Sequence, residues 1–173
     1  MTLRTAGFNA IEQGALSPAT VVLMMAVMFV GGSPGSTAGG IKTTTVALLA
    51  LAVVAALRGR TEVHAFGRRL PHASVVRAAA VFAVAAAGIP VAIVILLVTQ
   101  ELAPLQAAFE AVSALCTVGL SLGATAQLDE VGKCFIAACM FAGRMGPLTL
   151  FVLLIGRGEP ERWRLPEEDV VVG

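Results

Sequence analysis

The chain has 173 residues, of which 57% are hydrophobic and 13% charged, and its mean hydropathy is +0.88. A soluble domain of this length needs far more polar surface, so the composition is that of an integral membrane protein. A net charge of +1 gives no electrostatic basis for binding nucleic acid.

The N-terminal stretch MTLRTAGFNAIEQ has no apolar h-region and is no signal peptide. Two short apolar pieces follow, residues 18–30 and 43–57, joined by GGSPGSTAGGIKTTT at 31–45. Each piece alone is marginal for a crossing, so together they predict one membrane helix broken in its interior. Next comes a basic stretch in which Arg58, Arg60, Arg68, Arg69 and Arg77 stand with His64 and His72 against a single acid, Glu62. The bias of Lys and Arg toward cytoplasmic loops places it in the cytoplasm. Its two histidines read as part of a solvated connection, since no further metal ligands cluster with them.

Residues 75–99 form an almost unbroken apolar run, and about 20 such residues span a bilayer. Residues 105–115, LQAAFEAVSAL, are too few to span and carry Gln106 and Glu110, which suits a re-entrant helix. Glu101, Glu110, Asp129 and Glu130 precede any Lys or Arg up to Lys133, so this side faces outward. A last run, 131–155, has Arg144 in its interior and leads to a cytoplasmic C-terminal tail. Cys116, Cys134 and Cys139 form no CxxC pair and read as small apolar packing residues. The expected protein is multi-pass in the cell membrane.

Two stretches share a pattern, TAGFN at 5–9 and TVGLS at 117–121. Each is Thr-x-Gly-apolar-Asn/Ser and each precedes a short polar connection and an apolar helix, a sign of internal duplication. A bare turn is the bland reading of Thr-x-Gly. The chemical reading is an ion site. A short helix aims its negative dipole end at a cation, and glycine beyond it lets successive carbonyls face one axis and replace a hydration shell. Gly31-Gly32-Ser33-Pro34-Gly35 matches a G-x-S-x-G nucleophile pattern, but it lacks the strand–turn–helix setting and a partner histidine. GGIKTTT fails as a phosphate loop because Ile41 separates Gly40 from Lys42. Lys42 reads as a side chain reaching from the inner end of the loop toward water. Arg144, costly at mid-membrane, must face the protein interior or a wet path, or else tie helix ends through backbone carbonyls.

RTAGFN at 4–9, GGSPGSTAGGIKTTT at 31–45, EAVSALCTVGLSLG at 110–123 and FAGRMGPLTLF at 141–151 together resemble the C-terminal half of the TrkH/KtrB superfamily of potassium uptake proteins. The resemblance implies an all-α membrane protein of potassium-channel-like helix/pore-loop/helix repeats, four in the whole pore, with one broken transmembrane helix. Residues 1–74 would be the end of the third repeat, 75–158 the fourth, and 159–173 a cytoplasmic tail. Thr5, Ala6, Gly7, Phe8 and Asn9 would be the third filter quarter. Thr117, Val118, Gly119, Leu120 and Ser121 would be the fourth. Gly31, Gly32, Ser33, Gly35, Ser36, Thr37, Gly39, Gly40 and Lys42 would form an intramembrane gate loop, with Arg144 on the pore axis beside it. The implied activity is gated potassium conduction. It involves no enzyme chemistry, no cofactor and no metal beyond transported K+.

Met1 falls about where the third pore helix should end, so the chain is expected to be a truncated or split gene product that needs the remaining pore repeats. Two turns supply at most half a carbonyl ring. The alternative is a non-conducting membrane fragment that acts by association with a full-length pore subunit. The implied partners are those repeats, a second complete pore in a homodimer, membrane lipid and a cytosolic nucleotide-binding regulatory ring. K+ and Na+ both remain compatible as preferred ions, as do channel and ion-coupled symport.

Overall fold

A computed structural model describes residues 3, 5–8, 13–36, 39–60 and 62–146 of the chain. Five α-helices carry the described residues. Helix α1, Pro18–Phe29, starts where Ser17 accepts a hydrogen bond from the Thr20 amide at 3.4 Å and proline occupies the first turn, both ordinary start signals. It stops at the glycine pair Gly31-Gly32. Helix α2, Thr43–Leu57, resumes after the loop and ends at Gly59, whose φ of 63° is a left-handed exit.

The basic stretch is more ordered than a plain connection. Strands β1, His64–Ala65, and β2, Arg68–Arg69, pair antiparallel around Phe66 and Gly67, both with positive φ, the backbone of a two-residue hairpin turn. Glu62 accepts from Arg69 at 3.0 Å and lies 3.3 Å from His64. Helix α3, His72–Thr99, has 28 residues, about 42 Å at 1.5 Å per residue. It begins at His72 rather than at 75 because Pro71 supplies the extended N-cap. Among the described residues it is the one helix long and apolar enough to cross a membrane.

Helix α4, Pro104–Leu115, is only 12 residues long, yet Ala107, Phe109, Glu110, Ala111, Val112, Ser113 and Ala114 are all buried. It is the centre of the molecule. On one face Ala107, Ala111 and Ala114 meet Ala92 and Leu96 of α3 with Leu128, Ile136 and Cys139. On the other, Phe109, Val112 and Cys116 meet Val21 and Met28 of α1 together with Val118 and Leu120. Helix α5, Glu130–Met145, is capped by Asp129, which accepts from the Gly132 amide at 2.6 Å. Gln100, just past α3, grips that cap: its Nε2 donates to Asp129 Oδ1 at 2.7 Å and its Oε1 accepts the Asp129 amide at 3.1 Å. Asp129 is solvent-facing, and the Gly132 amide first, then the Gln100 amide, hold its carboxyl below the usual aspartate value.

The two short apolar pieces fold as α1 and α2, joined by an irregular segment. Large apolar side chains on α2 and α3, among them Leu57, Val91, Val94 and Val98, are exposed, so these faces belong against hydrocarbon or further protein. The rest of the apolar run toward 155, and the tail at 159–173, lie outside the described residues.

Candidate functional site

The two Thr-x-Gly stretches adopt one backbone pattern. Thr5 and Gly7 have φ of 69° and 66°, and Thr117 and Gly119 have φ of 53° and 85°. Ala6 and Val118, between them, are absent from the positive-φ residues. A β-branched residue at positive φ is a genuine outlier, costing about 1–3 kcal/mol, and is kept only where the surroundings over-determine it. Alternating left- and right-handed residues turn successive peptide groups the same way, lining up their amides on one side and their carbonyls on the other. The turns face each other. A Cβ placed on Gly7 would lie 3.1 Å from the Val118 carbonyl oxygen and 3.7 Å from that of Gly119. Among the described residues, a 3-10 turn and then a side-chain N-cap follow each turn, Ser17 in one copy and Asp129 in the other, both caps at the same spacing from the threonine.

The second turn is fastened to α4. The Val118 amide donates to the Ser113 carbonyl at 2.8 Å, and the Ser113 hydroxyl donates to the Leu120 carbonyl at 2.6 Å. The side chains of Val118 and Leu120 are buried, while Gly119 is exposed. The turn is therefore anchored through its side chains with its glycine in the open. Leu120 directs its carbonyl to Ser113, and Ser121 directs its hydroxyl to Glu110. Thr117 Oγ1 is buried with no hydrogen-bond partner among the described residues. In the first copy Ala6 and Phe8 are exposed, and Asn9 lies outside the described residues.

The loop between α1 and α2 closes on itself. Val30 and Ile41 form a parallel bridge, with the Gly31 amide donating to the Ile41 carbonyl at 2.8 Å, the Ile41 amide to Phe29 at 3.0 Å and the Thr43 amide to Gly32 at 3.1 Å. Lys42 Nζ donates to the Ser36 carbonyl at 3.3 Å. Gly39 lies directly against the second turn, where a Cβ would overlap Thr117 Oγ1 and the Cys116 carbonyl. Gly31 is equally close to the Gly39 carbonyl, and a Cβ on Gly40 would stand 2.9 Å from the Met28 carbonyl. Ser33, Gly35 and Ser36 lie at the exposed tip, and Gly35, at φ 86°, has nothing within 4 Å of its Cβ position. Thr37 is outside the described residues.

Arg144 joins the two features. It lines a hollow of about 260 Å³ with Thr117, Gly119 and Met140. It also lines one of about 420 Å³ with Gly35, Ser36, Gly39, Gly40, Lys42 and Gly143. On α5 it stands beside Gly143, which packs so closely on α4 that a Cβ there would overlap the Leu115 carbonyl.

Residues 1–160 match the family TrkH, described as a cation transport protein. The chain belongs to the TrkH/KtrB superfamily of potassium uptake proteins. It is 39% identical over 173 residues to the Ktr system potassium uptake protein B of Bacillus subtilis, covering 100% of this chain and 39% of that protein. It is 40% identical to the potassium/sodium uptake protein NtpJ of Enterococcus hirae, over 100% of this chain and 40% of that one. The crystal structure of the potassium transporter TrkH from Vibrio parahaemolyticus superposes with a TM-score of 0.75 at 26% identity, covering 88% of this chain and 35% of that one. The chain thus spans about two fifths of the length of the curated relatives. The family is one of membrane transporters, not of enzymes.

Several residues that hold these turns were not among the candidate site residues. Glu110, Ser113 and Thr125 hold the second turn from behind, and Ser17 and Asp129 set the helices that leave both turns. The one available signal was spacing, since Glu110 and Ser113 sit three apart and therefore share a face of α4.

Proposed function

We propose that this chain supplies two of the four quarters of a gated K+ pore of Trk/Ktr type, together with the gate beneath them. On this reading the chain is the C-terminal part of such a pore, with residues 5–9 and 117–121 as the third and fourth filter quarters. The observation that carries it is the matched pair of Thr-x-Gly turns, each with positive φ at Thr and Gly, brought face to face. Carbonyls of Val118 and Gly119 directed across the gap can replace part of the hydration shell of a large monovalent cation. Helix α4 ends at the second turn, so its negative dipole end stabilises a cation there. No covalent chemistry is involved.

Gating belongs to the loop at 31–45 and to Arg144. Non-helical backbone at membrane depth is tolerated inside protein or against water, and the hollow shared by the loop and Arg144 is such a place. A guanidinium beneath the filter turn also repels cations on the same path. The basic connection around Arg58–Arg69 and the C-terminal tail lie on the cytoplasmic side. The remaining repeats, a second copy of the pore and a cytosolic nucleotide-binding ring complete the assembly that the family resemblance implies.

The test is substitution at Gly119 in a complete pore containing this segment, reconstituted in liposomes. At φ 85° any side chain is strained, by about 1–2 kcal/mol for the left-handed region. Gly119→Ser is expected to lower K+ over Na+ discrimination well below that of Leu120→Ile, whose side chain is buried away from the gap. Equal selectivity in the two variants removes Gly119 from the filter.

A further inference from the structure

We propose that Glu110 is a positioning residue for ion selection, setting the shape of the fourth filter quarter through both of its carboxylate oxygens; this rests on the filter reading of residues 117–121. Glu110 is 4% exposed and sits in the middle of α4. A carboxylate buried there is expensive unless its lone pairs are met. What meets them is the chain just beyond the filter turn. Ser121 Oγ donates to Oε1, and Thr125 Oγ1 donates to Oε2 at 3.0 Å. Ser121 Oγ in turn accepts the Gly123 amide at 3.0 Å, at a glycine whose φ is 89°. One carboxylate therefore holds two hydroxyls and, through one of them, the backbone that reverses direction after the filter.

The neighbouring bond shows what this controls. Ser113, one turn further along the same helix face, donates to the Leu120 carbonyl at 2.6 Å. Glu110 and Ser113 thus grip adjacent residues, Ser121 and Leu120, on the limb that leaves Gly119. Gly119 itself has no side chain to anchor it, and a Cβ there would find only the Gly7 Cα, at 3.8 Å. Its carbonyl direction is set by the residues that follow, and these are held by α4. A ring that separates ions by size or by ligand field requires each carbonyl to be held against relaxation. Two charge-assisted bonds from one rigid helix supply that restraint.

The proposal separates from a general folding role by its readout. In a complete pore containing this segment, Glu110→Gln keeps the volume but opposes an NH2 to one hydroxyl. It is expected to lower the K+/Na+ flux ratio by about five- to tenfold, within the range of losing one ordinary hydrogen bond, while K+ flux itself persists. Ser121→Ala and Thr125→Val each lower the ratio less, and adding either to Glu110→Gln has little further effect, because all three break one brace. If Glu110→Gln does not insert, the two hydroxyl variants carry the same test. Gly119→Ser is measured alongside. A shifted ratio for Gly119→Ser with wild-type ratios for Glu110→Gln, Ser121→Ala and Thr125→Val overturns the brace and leaves the filter standing. Wild-type ratios in all four overturn both.

Discussion

Arg144→Ala should raise K+ flux through a complete pore containing this segment. Arg144 borders both the hollow beneath Thr117 and Gly119 and the hollow under the loop residues Gly35, Ser36, Gly39 and Gly40. Arg144 is thus placed between the second Thr-x-Gly turn and the loop. A charge-assisted bond from such a group contributes about 1.5–3 kcal/mol. At 1.4 kcal/mol per factor of ten, losing one shifts a closed–open equilibrium by roughly tenfold to a hundredfold. Removing the charge also removes repulsion along the path, which adds in the same direction. The assay is Rb+ or K+ uptake into liposomes at matched protein density. Arg144→Lys keeps the charge but loses the planar fork, so it should fall between wild type and alanine. Deleting residues 35–39 should raise flux to a similar level, and the double change should add little, since both remove one barrier. If Arg144→Ala abolishes flux while the protein still inserts and folds, the arginine ties the helix ends together and the gate reasoning fails.

Gly39→Ala should disturb both gating and selectivity, because its Cβ would overlap Thr117 Oγ1 and the backbone of Cys116. Gly35→Ala, whose Cβ meets open space at φ 86°, should cost about 1 kcal/mol of local strain and leave the K+/Na+ ratio unchanged; equal ratios in both variants would disconnect loop from filter. Asp129→Asn should change the acid limb of the stability profile. The folded Asp129 carboxyl is held below its ordinary value by the Gly132 amide and Gln100. Its contribution is therefore complete above the unfolded aspartate range and is lost as pH falls through the folded value. Asparagine still caps, so the Tm gap between wild type and variant in detergent should be constant near neutrality and close in acid. A gap that widens in acid would contradict the sign.

What could be read from the chain follows from the strength of its local signals. Residues 43–57 form a helix over the span the apolar run suggested, because a glycine-rich loop and Gly59 punctuate both ends. The paired Thr-x-Gly stretches were legible because each needs glycine at a fixed offset from threonine. Glu110 was not legible as part of the site. Its place on a short re-entrant helix names no partner, and only the fold returns Ser121 and Thr125 to it. The hairpin at 64–69 carries no alternating pattern, and its turn rests on Phe66 at φ 50°, which no composition rule anticipates. The approach of Gly39 to Thr117 joins segments far apart in sequence, so only tertiary packing discloses it.

The C-terminal end of α4 explains why the closing energy should lie in polar contacts. The last carbonyls of a helix lack intrahelical partners. Here Leu115 is covered by Gly143 of α5, and Cys116 with Thr117 by Gly39 of the loop. Apart from the Thr117 hydroxyl, these are contacts of backbone on backbone. Nothing in the Gly39 contact itself can hold the loop shut against a large bias. The holding falls to directional bonds: Gly31 to Ile41, Thr43 to Gly32 and Lys42 to Ser36, with Arg144 beside them. The first two close the mouth of the loop on its own helices, and Lys42 ties the loop to itself. Among the described residues lining that hollow, Arg144 is the cation carried by a different helix. On the proposed gate reading it is therefore the group whose removal is expected to free the loop without unfolding it.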